Sequence, residues 1–267
     1  MSLAPGTKGR ERLITAAVVV GVLALWYVAA LLVQSGDDPL AASKLPYPHG
    51  VIEQIVDNRS VLAEAGWTTL KQALIGFAVG AVVGIFSSVV MAQAAWLEAG
   101  VIPFILAAQM IPMIALVPIA QNIFKNDDVT RIFIAAFITF FSVSIAVLRG
   151  LKSAPPPAYE LMSSYNAGRA KTLRYLRLPA AVPMMFTGLR IAAPLSLVGS
   201  VLVDLSGAQS GLGYLMLAAI TFGSEGAAVL WGAMIVLLAL GFLMTQAVVL
   251  VERIVAPWQP DLRHGKA

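Results

Sequence analysis

The sequence predicts an all-α fold, a polytopic membrane helix bundle of six transmembrane helices. Three observations carry that prediction. Of the 267 residues, 59% are hydrophobic and only 12% charged, where a soluble domain has roughly half and a quarter. The apolar residues are gathered into runs of about twenty, the length at which a helix spans a bilayer. The basic residues are sorted to alternate connections, the pattern by which membrane topology is encoded. One bundle accounts for the whole chain, 1–267, as a single transmembrane domain.

The first run, 13–33, follows Lys8, Arg10 and Arg12. A signal peptide is the competing reading, but its apolar region would be roughly 7–15 residues. This run makes about 31 Å of helix, so it reads as a retained span. The polar stretch 34–65 holds Pro39, Pro46 and Pro48. The second span, 67–92, carries Gly76, Gly80 and Gly84, spaced to share one face, and small residues there let another backbone come close. The third span, 99–123, contains Pro103, Pro112 and Pro118, which are expected to break it. Prolines in a span release carbonyls that need a neighbour or a wet cavity. The fourth span covers 131–149 and the fifth 184–205. Between them lies a polar, basic segment, 149–182, opened by Pro155, Pro156 and Pro157. A glycine-rich stretch, 206–226, leads to the sixth span, 227–251.

Charge sets the orientation. Most of the 18 basic residues fall in three places: Lys8, Arg10 and Arg12; Arg149, Lys152, Arg169, Lys171, Arg174, Arg177 and Arg190; and Arg253, Arg263 and Lys266. The remaining connections are acidic on balance, with Asp37, Asp38, Glu53, Asp57 and Glu64 in one and Asp127 and Asp128 in another. Positive charge stays on the cytoplasmic side. Both termini are therefore inside, which an even number of spans requires.

Several chemistries are excluded or disfavoured. Without cysteine there are no disulfides, zinc–thiolate sites or iron–sulfur clusters. The two histidines, His49 and His264, lie near segment ends, so no metal site is expected. The basic residues border apolar runs, which points to lipid and topology rather than nucleic acid. No cluster of His, Asp, Glu or Ser–Lys falls in the spans, so no catalytic residue is expected. A gradient-driven secondary transporter or channel remains the alternative function. It would call for coupled mid-membrane carboxylates or an internal repeat, and Asp204 is the only candidate.

The most informative stretch lies between spans four and five, within about 155–180. Its composition is helical but too polar to span. The triple proline ends the preceding element and Pro179 is expected to end this one. Two short helices with a break near 166–168 fit best. Tyr159, Met162 and Tyr165 share one face of the first; Leu173 and Leu176 share a face of the second, and Arg174 and Arg177 another. An apolar ridge with basic flanks suits docking on a partner protein and equally a helix lying on anionic lipid. Physics alone does not separate the two.

The segment resembles the coupling loop of ABC importer permeases. That family's pattern is Glu-Ala-Ala, three residues, Gly, nine residues, an aliphatic, any residue, then Leu-Pro. Here Glu160 is followed at matching spacing by Asn166 in place of Gly, then Leu176, Leu178 and Pro179, while Leu161 and Met162 replace the alanines. Asn tolerates the positive φ that such a break needs better than other non-glycine residues. The resemblance covers about 60–255 and is closest to the nitrate/sulfonate/taurine and thiamin-precursor branch. Ile111 to Pro118, Gly188 to Pro194, and Asp204 through Gly211, Gly213 and Tyr214 also match.

The resemblance implies a bacterial inner- or plasma-membrane, multi-pass permease. It would work with a second permease, identical or related, with ATP-binding-cassette ATPase subunits below, and with an extracytoplasmic solute-binding protein above. ATP and Mg would reside on the ATPase and no cofactor on this chain, which has no Gly-rich phosphate loop ending in Lys-Ser or Lys-Thr. Glu160, Tyr165, Asn166, Gly168, Arg169, Arg174 and Pro179 would form the ATPase-coupling surface.

Gln109, one turn before Pro112, presents an amide either to a neighbouring helix or to a solute. In relatives carrying thiamin-type pyrimidine precursors this position often looks like Gln, and in anion carriers like Arg. That favours a neutral or heterocyclic vitamin- or pyrimidine-like solute, or else a small organic anion such as a sulfonate. Met110, Met113 and Phe104 are candidates for an apolar slot or for plain packing. Asp204, with Gly211 and Gly213, is placed near the outer rim. There it would bond the backbone of the glycine-rich return, as a structural or a gating group.

Overall fold

The computed structural model describes residues 7–36, 44–221 and 227–258. Asp37, Asp38 and Pro39 of the first outer connection, residues 222–226, and Arg263, His264 and Lys266 of the tail lie outside the described residues, as do the side chains of Lys8, Arg10 and Arg12. All regular structure among the described residues is helical: α1 (Thr7–Gln34), α2 (Pro48–Asp57), α3 (Arg59–Met91), α4 (Ala95–Gln109), α5 (Met113–Phe124), α6 (Asp127–Gly150), α7 (Pro156–Ser164), α8 (Arg169–Thr172), a π turn (Leu173–Arg177), α9 (Leu178–Leu205), α10 (Leu212–Thr221) and α11 (Ala227–Val255). Among the described residues, five stretches are long and apolar enough to cross a membrane: Leu13–Gln34, Arg59–Met91, Asp127–Gly150, Arg169–Leu205 and Val229–Val255. The pair α4–α5 passes the same test together but is bent by 97°.

The chain forms two compact units, Met1–Ala63 with Leu215–Ile235, and Glu64–Tyr214 with Val236–Ala267. In the first, the end of α1 is held by the chain that follows it. Trp26 Nε1 donates to the Pro46 carbonyl at 3.1 Å, and Gln34 Nε2 to that of Leu45 at 2.9 Å. The Trp26 ring meets Trp231 at 5.4 Å, and Tyr27, Tyr47 and His49 gather their rings within 5.9 Å of one another. Aromatic groups with one polar edge gather at a membrane–water boundary for this reason. Pro48 then starts α2, where its missing N–H costs nothing.

In the second unit α3, α6 and α9 pack around small residues. A β-carbon added at Gly76 would come within 2.6 Å of the Ala135 β-carbon and the Ile132 carbonyl, and one at Gly80 would collide with the Ala136 carbonyl. The glycine face expected from the sequence is therefore the place where α3 meets the α6 backbone. On an adjoining face of α6, Gly188 of α9 meets Ala146, and Gly199 meets Ile138 and the Ala135 backbone. Helices in lipid gain by such van der Waals contact, because lipid tails provide no hydrophobic drive between them. Ser88 adds a hydrogen bond of 2.8 Å to the Ser144 carbonyl. Phe186, Ala193 and Leu197 of α9 complete a core with Ala73 of α3 and Met244 and Val248 of α11.

The bent pair counts as one span. Ile105 of α4 packs with Met91, Phe141 and Leu148, and Lys152 reaches Glu98 at 2.5 Å, all at the basic end of the bundle. Val117 and Ala120 of α5 pack with Ile134 and Val203 at the other end. Leu148 and Ile134 stand about 21 Å apart along α6, so the elbow carries the chain across, and counted as one span it brings the candidate spans among the described residues to six. Of the three prolines expected to break this span, only Pro112 does. Pro103 and Pro118 lie inside α4 and α5, where a single missing N–H is absorbed without ending the helix.

A second expectation also fails. Pro179 does not end the short helix before it, because the helix runs on from Arg169 to Leu205. The intervening π turn explains this. The Leu178 N–H donates to the Leu173 carbonyl, so the ladder is widened by one residue just where proline would clash with it. The fifth span therefore starts earlier than 184.

Candidate functional site

Three places in the second unit bear on function. The first is the segment at the basic end. Pro155 precedes α7, and Pro156 and Pro157 fit its first turn. The helix closes with the Ala167 N–H on the Met162 carbonyl and the Asn166 N–H on that of Ser163, both at 2.9 Å. Those two bonds form a Schellman ending, which needs a left-handed residue at the position Asn166 occupies. Its φ is +48°, which is why Asn can stand where the family pattern has Gly. Gly168 caps α8, and Arg169 opens it. Glu160, Tyr165 (76% exposed), Arg169 and Arg174 face solvent, with the Arg174 guanidinium 5.7 Å from the Tyr175 ring centre. Pro179, exposed, sits one turn beyond on α9.

Arg177 departs from the expected pairing with Arg174. It turns inward, donating from Nε to the Leu151 carbonyl at 3.0 Å and from Nη1 to that of Ala92 at 2.9 Å.

The second place is a cavity of about 710 Å³ beside the elbow. One wall is α6, with Ile138, Phe141, Ser142, Ile145, Ala146 and Arg149, and another is α9 from Met184 to Leu202. Gln109 and Met113, from the two limbs of the elbow, complete the lining. Its polar groups are thus an amide, two hydroxyls (Ser142 and Thr187) and one guanidinium. Met110 and Phe104 do not join them. They are 82% and 76% exposed and point away from the chain. Pro112 caps α5 without lining the cavity. Ile191, Leu195 and Val198 leave an apolar stripe of α9 uncovered.

The third place is the end of the bundle opposite the basic segment. Asp204, fully buried, accepts Arg131 Nε at 2.6 Å, Thr69 Oγ1 at 2.9 Å and the Gly213 N–H at 3.2 Å. Thr69 Oγ1 in turn accepts the Leu212 N–H at 2.9 Å. Arg131 is 1% exposed and spends its other nitrogens on Asp128 (2.8 Å) and on the Ser210 carbonyl (2.7 Å). Gly211 has φ +99°, and a β-carbon there would strike the Asp204 carboxylate. Three helices and the return into α10 are therefore knotted around one ion pair. Reading the sequence missed Arg131. The available signal was an arginine just inside an apolar run at the end poor in basic residues.

Midway along α9, Arg190 pairs with the buried Glu252 of α11. This pair, and not one with Asp204, is where Arg190 finds its counter-charge.

Residues 76–257 match the family model described as "Binding-protein-dependent transport system inner membrane component". The formylaminopyrimidine transport permease ThiX of Halalkalibacterium halodurans is 30% identical over 89% of this chain and 92% of its own. The putative aliphatic sulfonates transport permease SsuC of Escherichia coli is 28% identical over 90% of each. Among solved structures, an inward-facing form of the MetNI methionine ABC transporter superposes with a TM-score of 0.62 at 21% identity, covering 74% of this chain and 97% of that one. That likeness concerns the fold alone. The extent of the family match and the identity to the permeases over nearly the full length lead to one conclusion: this chain belongs to the binding-protein-dependent transport system inner membrane components, the permeases of ABC importers.

Proposed function

We propose that this chain forms half of the membrane pathway of a bacterial plasma- or inner-membrane importer for a small neutral nitrogen heterocycle. The observation that carries the solute class is the lining of the cavity beside the elbow. Its volume of about 710 Å³ lies in the range of small-molecule sites. Gln109 offers a neutral donor and acceptor, and Ser142 and Thr187, whose hydroxyls donate to the Ile138 and Pro183 carbonyls, offer acceptor oxygens against apolar walls, the composition that suits a ring with amine and carbonyl edges. The formylaminopyrimidine permease among the relatives supports the same class. A second permease, identical or related, would cover the exposed stripe of α9 and close the cavity from the other side. Arg149, also in the lining, favours a second reading, a small organic anion such as a sulfonate.

Gln109→Ala decides between the two. Uptake of an aminopyrimidine should lose about tenfold in apparent affinity, as expected when a buried hydrogen-bonding group is left unpaired, while alkyl sulfonate uptake stays unchanged. Measured uptake across both solute classes checks this. Equal kinetics of wild type and variant on every solute would remove Gln109 from the pathway.

Energy enters at the basic end in this proposal. The face made by Glu160, Tyr165, Arg169 and Arg174, with the Asn166–Gly168 turn between its helices, would sit on a separate ATPase subunit that holds ATP and Mg. A binding protein on the far side would deliver the solute. Glu160→Arg and Arg169→Glu should each reduce co-purification of the ATPase while leaving insertion intact, since both side chains are exposed and charge reversal at a rim acts on association. Undiminished co-purification and uptake in both variants would overturn the assignment of this face.

A further inference from the structure

The surface that would meet the ATPase and the helices that must move are different parts of the chain, and one side chain joins them. We infer that Arg177 is the positioning residue through which the α7–α8 segment drives the basic ends of α3 and α6. The inference rests on the proposed coupling role of that segment. Arg177 is the last residue of the π turn, directly before α9. Its two hydrogen bonds go to Ala92, one residue past the end of α3, and to Leu151, one residue past the end of α6. Carbonyls at a helix C-terminus have no donor within their own helix, and a cation there also meets the negative end of the helix dipole. A planar guanidinium can serve both carbonyls at once, which an ammonium on a single stem cannot.

One turn earlier, Leu173 packs against the buried cluster of Ala81, Val143, Val147, Leu151, Ala181 and Ala192, drawn from α3, α6 and α9. Ser153 adds a bond of 3.2 Å to the Ala180 carbonyl. The segment is thus divided by face. Arg174 and Tyr175 look outward to solvent, and Leu173 and Arg177 look inward to three helix ends. A push on the outer face is delivered to α9 through the continuous backbone. To α3 and α6 it is delivered through Arg177, with Leu173 as the apolar footing. Without that contact the push reaches α3 and α6 only through the apolar packing of Leu173 and of Gly150 against Ala181.

The test uses the absence of native cysteine. Spin labels on cysteines placed at the exposed positions Gln93 and Ser163 report the distance between the end of α3 and α7 in the full chain. In parallel, the assembled transporter gives solute moved per ATP hydrolysed. With Arg177→Ala, the distance distribution should broaden and the solute-per-ATP ratio should fall about fivefold or more, while ATP hydrolysis itself continues. Arg177→Lys keeps the charge but reaches one carbonyl only. It should give an intermediate width and ratio, and it serves as the readout if the alanine variant does not insert. A distribution as narrow as wild type, or an unchanged ratio, in a variant that inserts overturns the inference. If the unaltered chain neither binds nor stimulates an ATPase, the coupling proposal fails instead, and the distance measurement still reports whether Arg177 ties the helix ends.

Discussion

Arg131→Met is expected to destabilise the chain by about 3–5 kcal/mol, the range measured when one member of a buried ion pair is removed. The cause is the carboxylate left behind. Asp204 has no exposed surface, and without Arg131 it keeps only two neutral donors, Thr69 Oγ1 and the Gly213 N–H. The substitution also frees the Ser210 carbonyl that Arg131 holds, so the return into α10 loses its tether to α6. In detergent, thermal unfolding should shift down by about 10 °C. Adding Asp204→Asn should restore most of the loss, because it removes the stranded charge and keeps an oxygen for Thr69 and Gly213. A double variant no better than the single one would show that the pair is not what holds this end.

The second large effect is expected at the α3–α6 crossing. Gly80→Ala puts a β-carbon against the Ala136 carbonyl and within 2.7 Å of the Thr139 β-carbon, with no flexible side-chain end to give way. The helices must part, at a cost of about 1–3 kcal/mol for overpacking. The shift should also disturb the Ser88–Ser144 bond further along the same face. Gly100→Ala is the control. It lies on α4 with nothing within 4 Å of its added β-carbon, and an alanine there gains up to about 1 kcal/mol of helix propensity. Melting temperatures of the two variants should therefore move in opposite directions. A Gly80→Ala chain as stable as the Gly100→Ala chain would refute the close approach.

Much of this architecture could be read from the chain because it is written locally. Apolar run length marks the spans, and the four-residue spacing of Gly76, Gly80 and Gly84 marks the contact face. The Glu160 to Pro179 spacing marks the segment at the basic end, down to the left-handed Asn166. What could not be read depends on pairings far apart in sequence or on small differences in helix geometry. Arg131 and Asp204 are separated by 73 positions. Neither residue carries a local sign of the other, so Asp204 could be placed at the return but not given its partner. Arg177 looks from its spacing like a neighbour of Arg174, yet the wider repeat of the π turn and two carbonyl partners hold it inward. Pro103, Pro112 and Pro118 look equivalent in the sequence. Only tertiary contacts decide that α4 and α5 part at Pro112, because each limb is anchored to a different end of α6.

The elbow has a consequence for the life of the subunit before assembly. At its corner the Met110 and Ile111 N–H groups take up the Ala107 and Ala108 carbonyls at 3.0 and 3.3 Å, while the carbonyls nearest the break at Pro112 have no helical donor, and Met110, Ile111 and Phe104 stand out from the chain beside them. Acyl chains cannot satisfy those carbonyls. A surplus copy stranded in the bilayer would therefore draw water to its corner and thin the membrane around it. Where the proposed second permease covers this face the defect is relieved, so the same bend that shapes the cavity marks a copy that has not yet paired.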